Sequence, residues 1–370
     1  MNNQNRAAAV AHQFLIDGEL STIAAYGSGH INDTWCAVFD QGGAPVPYIL
    51  QRINTHIFRN PIALMENVQR VTSHVAAKSA VEPDRERRML TLIPARDGSA
   101  WHVDAEGGYW RAYRFIEGAH SYDAVESAQQ AYQAARAFGH FQKLLVDLPA
   151  PRLHDTIPDF HNTPKRFAAF ALAVAEDAVD RAIHARAEID FAFAHQSIAD
   201  LLLDANLPER VTHNDTKFNN VLLDDMTGEA ICVIDLDTVM PGLALYDFGD
   251  MVRTATSPAM EDEQDLSKVG LQFPMFEALV RGYLSSAGSF LTKAEKQYLS
   301  VAGKVIAFEQ GIRFLADYLA GDTYYKIHRD GHNLDRCRTQ FKLVESIEQQ
   351  EETMSRLISR LMDWQGDQAR

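Results

Sequence analysis

His213-Asn214-Asp215-Thr216-Lys217-Phe218-Asn219-Asn220 reads as H-x-D-x-x-x-x-N, and Ile234-Asp235-Leu236-Asp237 follows fifteen residues after its last asparagine. These are the residue types that phosphoryl transfer to a hydroxyl requires. The accepting hydroxyl needs a carboxylate to orient it and take its proton, and Asp215 is placed for that role. Lys217, two residues on, supplies a cation for the charge that develops on the transferring group. Asn220 and Asp235 offer hard oxygen ligands of the kind magnesium takes. His213 reads as a brace for this loop rather than an acid or a metal ligand. Asp247, in Leu245-Tyr246-Asp247-Phe248-Gly249-Asp250, reads as the cap of the next helix and a second brace.

Around this stretch the apolar runs Val221–Leu223 and Ile231–Ile234 predict two short strands, the second delivering Asp235 to a strand end. Helical patterns flank them at Asp123–Leu148, Pro164–Asp180, Ala187–Ala205 and Arg338–Met362, and Thr292 to Glu295 has capping-box spacing. The first ~117 residues read differently. A short helix ends near Gly18, and strands follow at Ser21–Tyr26, His30–Phe39 and Tyr48–Ile53, the last two joined through Gly42-Gly43. Asn60-Pro61 then opens a helix whose Leu64, Met65, Val68, Val71 and Val75 share one face, and strands resume at Met89–Ile93 and Tyr109–Ile116. The expectation is an α+β fold with two lobes: a small antiparallel-sheet lobe over 1–117 and a larger, mainly helical lobe over 118–370.

Composition narrows the partners. Fifty acidic against 35 basic residues give a net charge of −15, which argues against nucleic acid as a ligand. The same balance is compatible with a small anionic ligand held by local cations and a metal. No apolar run reaches the length of a membrane span, and the polar start Met1-Asn2-Asn3-Gln4-Asn5-Arg6 does not read as a signal peptide. Three cysteines with no C-x-x-C fit a reducing compartment, so a cytoplasmic location is expected.

With those motifs in place, the chain resembles the aminoglycoside phosphotransferase and choline kinase group of small-molecule kinases, whose fold is bilobal and protein-kinase-like. Within the group it is similar over nearly its whole length to the N-acetylhexosamine 1-kinases. Gly29-His30-Ile31-Asn32, Phe138-Gly139-His140-Phe141-Gln142, Arg210 to Lys217, Ile234 to Thr238 and Arg313-Phe314-Leu315-Ala316-Asp317-Tyr318 carry that likeness. The resemblance implies ATP and magnesium as cofactors and a sugar as acceptor, phosphorylated on its anomeric hydroxyl. It implies Asp215 as base, Asn220 and Asp235 on the metal, and Asp215, Arg313 and Tyr324 on the sugar. Gly29, Gln51, and the hinge residues Phe115 and Glu117 are then the candidates for nucleotide contact. Arg313 and Asp317, four apart, either form a polar wall for the substrate or simply pair with each other.

Two features depart from the protein-kinase pattern. Where a lysine is expected on the third strand the chain has Gln51, and Arg52 beside it alternates to the other face. Without that lysine, Glu66 reads as an exposed surface glutamate. The turn Gly27-Ser28-Gly29 is also shorter than a full G-x-G-x-x-G. Other acceptors on the same fold (choline, an aminoglycoside, another sugar) stay open. So do two remoter readings: a phosphatase of the haloacid dehalogenase type, with Asp235 as nucleophile in Asp235-Leu236-Asp237-Thr238-Val239, and a nucleotide-binding module without catalysis.

Overall fold

The computed structural model describes residues 3–27, 31–79 and 84–368. Two compact units emerge, and neither is one continuous stretch of chain. The first takes in Met1–His120, Asp147–Pro158 and Leu222–Met240; the second holds Ser121–Val146, Asp159–Val221 and Pro241–Arg370.

In the first unit, helix α1 (Asn3–Ala11) precedes strands β1 (Glu19–Ala25), β2 (Asp33–Gln41) and β3 (Ala44–Arg52). Helix α2 (Pro61–Lys78) follows, then β4 (Leu92–Ile93), β5 (His102–Val103), β6 (Tyr109–Arg114) and β7 (Ala119–His120). The main sheet runs β1-β2-β3-β6-β4 with β5 also on β6, and every pairing is antiparallel. Alternation along β2 buries Trp35, Ala37 and Phe39 against Phe14, Leu50, Trp110 and the apolar face of α1. The register then fixes the opposite face. Thr34 stands across from Gln51, and Gln51 across from Arg111, so the three form one row. Asn60 caps α2 by accepting from the Ala63 amide at 3.1 Å, with Pro61 in the first turn.

The remaining elements are α3 (Ala128–Leu145), α4 (Thr163–Glu176), α5 (Arg186–Ala194), α6 (Leu201–Asp204), β8 (Arg210–Thr212), β9 (Val221–Asp224) and β10 (Ala230–Val233). After them come β11 (Met240–Gly242), α7 (Ala244–Ala255), α8 (Phe273–Ala287), α9 (Lys293–Leu319) and α10 (His332–Gln368). Strands β10, β9 and β7 form a small sheet, which is how 222–240 joins the first unit. In the second unit α9 is buried along most of its length among α4, α7 and α10, and α3 lies against α8. Gly282 lets those two close: a Cβ there would sit 2.2 Å from the Tyr132 carbonyl oxygen. Among the described residues no helix is long and apolar enough to cross a membrane.

Several expected boundaries move. The helix expected over Ala187–Ala205 breaks into α5, a 3₁₀ turn at Gln196–Ile198 and α6. At the break the His195 ring bonds the Phe191 carbonyl at 2.8 Å, competing with the helical ladder. The strand expected over Met89–Ile93 shrinks to β4, because only Leu92 and Ile93 find partners on β6. The last helix starts six residues early, at His332 rather than Arg338. Asp247 does not cap α7: Leu243 flanks the helix start and Asp247 lies inside the first turn.

Candidate active site

In the second unit, β8 ends at Thr212 and the chain turns through Asn214 in the left-handed region (φ 65). A conformation unusual for a non-glycine residue needs surroundings that enforce it. Asp247 provides them. Its two carboxylate oxygens accept from the backbone amides of His213 at 2.9 Å and Asn214 at 2.7 Å, while Gln142 donates to one of them at 2.6 Å. The Thr216 hydroxyl donates to the Asp247 carbonyl at 2.6 Å. Burial pushes the Asp247 carboxyl upward, and these donors with His213 oppose the rise without cancelling it. Gly242 on the neighbouring strand is required here, since a Cβ would meet the Thr212 hydroxyl at 2.5 Å and the Asn214 side-chain oxygen at 3.0 Å. His213 is fully buried, with its ring edge-on to Phe138 and Phe141.

This loop presents Asp215. The Lys217 ammonium lies 3.1 Å from Oδ1, and the Asn220 amide donates to Oδ2 at 3.1 Å and to the Asp215 carbonyl at 2.8 Å. Burial would raise the Asp215 carboxyl, but Lys217 and His213 outweigh it and hold it below the usual range. Asp215 is therefore a carboxylate at neutral pH, able to accept a proton. Lys217 is shifted upward by Asp215 and keeps its charge.

Arg313 and Tyr324 also belong to the second unit. Arg313, near the end of α9, lies mostly covered between the rings of Phe160 and Tyr325, at 5.3 and 5.8 Å. It does not pair with Asp317, as one sequence alternative had it. Asp317 instead accepts from the backbone amides of Thr323, Tyr324 and Tyr325 at 2.8–2.9 Å and from the Asn333 amide at 2.9 Å. With three successive amides and Asn333 on its two oxygens, Asp317 is occupied, and Arg313 turns to Gln310 at 3.2 Å and Glu309 at 4.0 Å. Tyr324 is thereby placed with its side chain half exposed.

His161 carries no local signal that would mark it in the chain. Its Nδ1 lies 2.8 Å from Glu309 and its Nε2 lies 3.2 Å from the Asn214 carbonyl, so one imidazole ties α9 to the loop carrying Asp215. Glu309 could have been suspected, because it sits four residues before Arg313 on the same helix face.

The first unit holds the other candidates. Asp235 follows Ile234, which packs on Ile116, Ile231 and Cys232, and it too has left-handed backbone (φ 59). Asp237, two residues on, is ion-paired with Arg111 and accepts from the Asn32 amide at 2.6 Å. Gln51 is engaged at both ends: it accepts from Arg111 Nε at 3.0 Å and donates to Thr34 Oγ1 at 3.0 Å. Arg52 pairs with Asp33 on the other face. Glu66 is exposed but bonds His154 at 2.7 Å. Phe115 stands edge-on to Tyr26, and the Glu117 carbonyl accepts from Arg87 at 2.9 Å. Gly29 lies outside the described residues.

No group of three or more acidic, histidine or cysteine side chains among the described residues could hold a metal by itself. Magnesium takes one or two protein oxygens and completes its shell with phosphate and water, and Asn220 and Asp235 each carry an oxygen of the kind it accepts. The Asn220 amide nitrogen is committed to Asp215, so its oxygen is the atom that could take a metal.

A family model described as the phosphotransferase enzyme family matches residues 22–272. The chain belongs to this phosphotransferase family. The phosphotransferase shares its fold with an aminoglycoside phosphotransferase from Alicyclobacillus acidocaldarius, at 11% identity and a TM-score of 0.60, covering 96% of each chain. It is likewise similar to a choline/ethanolamine kinase family protein from Mesorhizobium loti, at 17% identity and a TM-score of 0.57, covering 97% of this chain and 98% of the other. A spectinomycin phosphotransferase solved with ADP and spectinomycin matches at 12% identity and a TM-score of 0.54, over 95% of this chain and 99% of its own. The fold is the kinase-like α+β class, with an antiparallel N-terminal sheet and a mainly helical remainder. Asp237, the second carboxylate of the phosphatase reading, is occupied by Arg111 and Asn32.

Proposed function

We propose that this phosphotransferase is an ATP- and magnesium-dependent kinase that phosphorylates the anomeric hydroxyl of a free N-acetylhexosamine, N-acetylglucosamine or N-acetylgalactosamine. The observation that carries the kinase reading is the Asp215 carboxylate, flanked by Lys217 and Asn220 on a loop pinned by Asp247. Asp215 orients the acceptor hydroxyl and takes its proton as the oxygen bonds to the γ-phosphorus of ATP and the bond from that phosphorus to the bridging oxygen breaks, releasing ADP. Its lowered basicity suits a late proton transfer, and an anomeric hydroxyl is the most acidic on the ring. Lys217 offsets the charge developing on the transferred group. Magnesium neutralises phosphate charge when bound, with Asn220 and Asp235 as its protein ligands. Gln51, Phe115, Glu117 and Gly29 are proposed to line the nucleotide.

The sugar assignment rests on the resemblance, with Arg313 and Tyr324 holding the ring so that carbon 1 faces Asp215. The Arg313 guanidinium, 12% exposed and held between two rings, supports a neutral acceptor over choline or an aminoglycoside, both cationic. A coupled assay of ADP release over a panel of sugars, choline and aminoglycosides, with phosphorus NMR of the product, tests the proposal. A phosphorus signal coupled to the anomeric proton is expected. A 6-phosphate, or turnover confined to choline or an aminoglycoside, overturns the sugar 1-kinase reading.

A further inference from the structure

Within the first unit the strongest unassigned feature is a polar row that runs from Thr34 through Gln51 and the buried Arg111 to the buried Asp237, two residues after Asp235. Arg111 is only 1% exposed, so its guanidinium meets no solute, and its contacts are all with the protein. Nε donates to Gln51, Nη1 pairs with Asp237, and the guanidinium lies over the Tyr113 ring at 5.3 Å. The second Asp237 oxygen accepts from Asn32, whose own side-chain oxygen accepts from the Asn54 amide at 3.0 Å. Asp237 sits in the 3₁₀ turn Leu236–Thr238, directly after the left-handed residue Asp235. On the far side of that turn, Asn67 donates to the Val239 carbonyl at 3.1 Å and exchanges hydrogen bonds with the His154 backbone at 2.8 and 2.9 Å. The turn carrying Asp235 is therefore tied to β6, to the start of β2 and to α2.

The same row explains Gln51. A lysine there would set an ammonium against the Arg111 guanidinium in a buried site, where like charges repel strongly. Glutamine instead accepts from Arg111 and donates to Thr34, and leaves the cation to Asp237.

We infer that Arg111 is a positioning residue for metal–nucleotide binding, acting through Asp237 to hold the turn that presents Asp235. This rests on the proposed role of Asp235 as a magnesium ligand. Loss of a group that orients a ligating residue commonly costs 10–100-fold in metal affinity.

The test measures binding rather than turnover: calorimetric titration of the full-length protein with ADP, in excess magnesium and separately in EDTA. Arg111→Met is expected to weaken Mg·ADP binding about 10–100-fold while changing the metal-free affinity and the KM for sugar less than about twofold. Arg111→Lys should recover part of the loss. Equal weakening with and without magnesium, or no weakening at all, overturns the inference. Should Arg111→Met fail to fold, Asn32→Ala, which leaves the ion pair in place, is expected to weaken Mg·ADP selectively by about 2–5-fold. A metal-independent effect there overturns it too. Asp235→Ala separates the two levels. If it binds Mg·ADP as wild type does, the role of Asp235 falls and this inference with it; if it binds weakly while Arg111→Met does not, only this inference fails.

Discussion

Two buried aspartates do the same mechanical job in the two units by different chemistry. Asp247 in the second unit and Asp237 in the first each use both oxygens to hold a turn whose left-handed residue is non-glycine, Asn214 in one case and Asp235 in the other. Asp247 is met by two backbone amides and the Gln142 side chain, which is in turn held by the Tyr283 hydroxyl at 2.5 Å. Asp237 is met by a guanidinium and one amide. The first arrangement gathers neutral dipoles around a charge, and burial leaves that carboxyl raised. The second neutralises charge with charge and keeps Arg111 protonated in spite of its burial. Amide donors fix a backbone directly. An ion pair fixes it through a side chain and leaves a buried charge behind if either member is lost.

The largest effect expected comes from what each turn presents. Asp215→Asn should lower kcat by about 10²–10⁴ with Mg·ATP binding retained, whereas Asp235→Ala should raise the KM for Mg·ATP. Steady-state kinetics at varied magnesium distinguish the two, and near-normal kcat in Asp215→Asn would remove it as the base. Next is the ion pair: Asp237→Asn strands a buried guanidinium and should cost about 3–5 kcal/mol in urea unfolding. Asp247→Asn keeps one acceptor and loses at least one backbone partner, so about 1–3 kcal/mol is expected from the same measurement. The reverse order would mean that backbone amides, not the ion pair, dominate.

A smaller effect follows from His161. Burial alone would lower its basicity, but Glu309 overrides this and raises it above 6.5. The stabilisation from its charged form is complete below 6.5 and is lost as pH rises through the raised folded value. Glu309 is shifted down, so its share is present above 4.5 and is lost as pH falls through the folded value. The melting temperature should decline by about 2–4 °C on the alkaline side, and Glu309→Gln should flatten that slope. The smallest change expected is Glu66→Ala, which breaks an exposed pair with His154 and should move stability by less than about 0.5 kcal/mol.

Much of this was legible in the chain. Periodicity marked β1, β2, β3, β4 and β6 of the main sheet and α2, but not the two-residue β5, because alternation and 3.6-residue spacing are local consequences of which face is buried and need several residues to show. Asn60-Pro61 and Thr292 to Glu295 announced their helix starts, since a cap is satisfied within four residues. The spacing within His213–Asn220 announced a carboxylate, a cation and an amide on one loop, and all three now lie within hydrogen-bonding or ion-pair distance.

What tertiary structure alone decided are the partners far apart in sequence. Arg111 reads as an ordinary strand arginine until β6 pairs with β3 and Asp237 arrives from 126 residues away. His161 has no local pattern, and its meaning comes from Glu309, 148 residues on. Asp317 looked like a mate for Arg313 at helical spacing, yet three amides of the following loop claim it, because backbone donors turned inward must be satisfied before side-chain pairing counts. Residue order sets spacing along a helix or a loop. Which charges meet in the interior depends on how distant segments pack, and only there is desolvation strong enough to choose between partners.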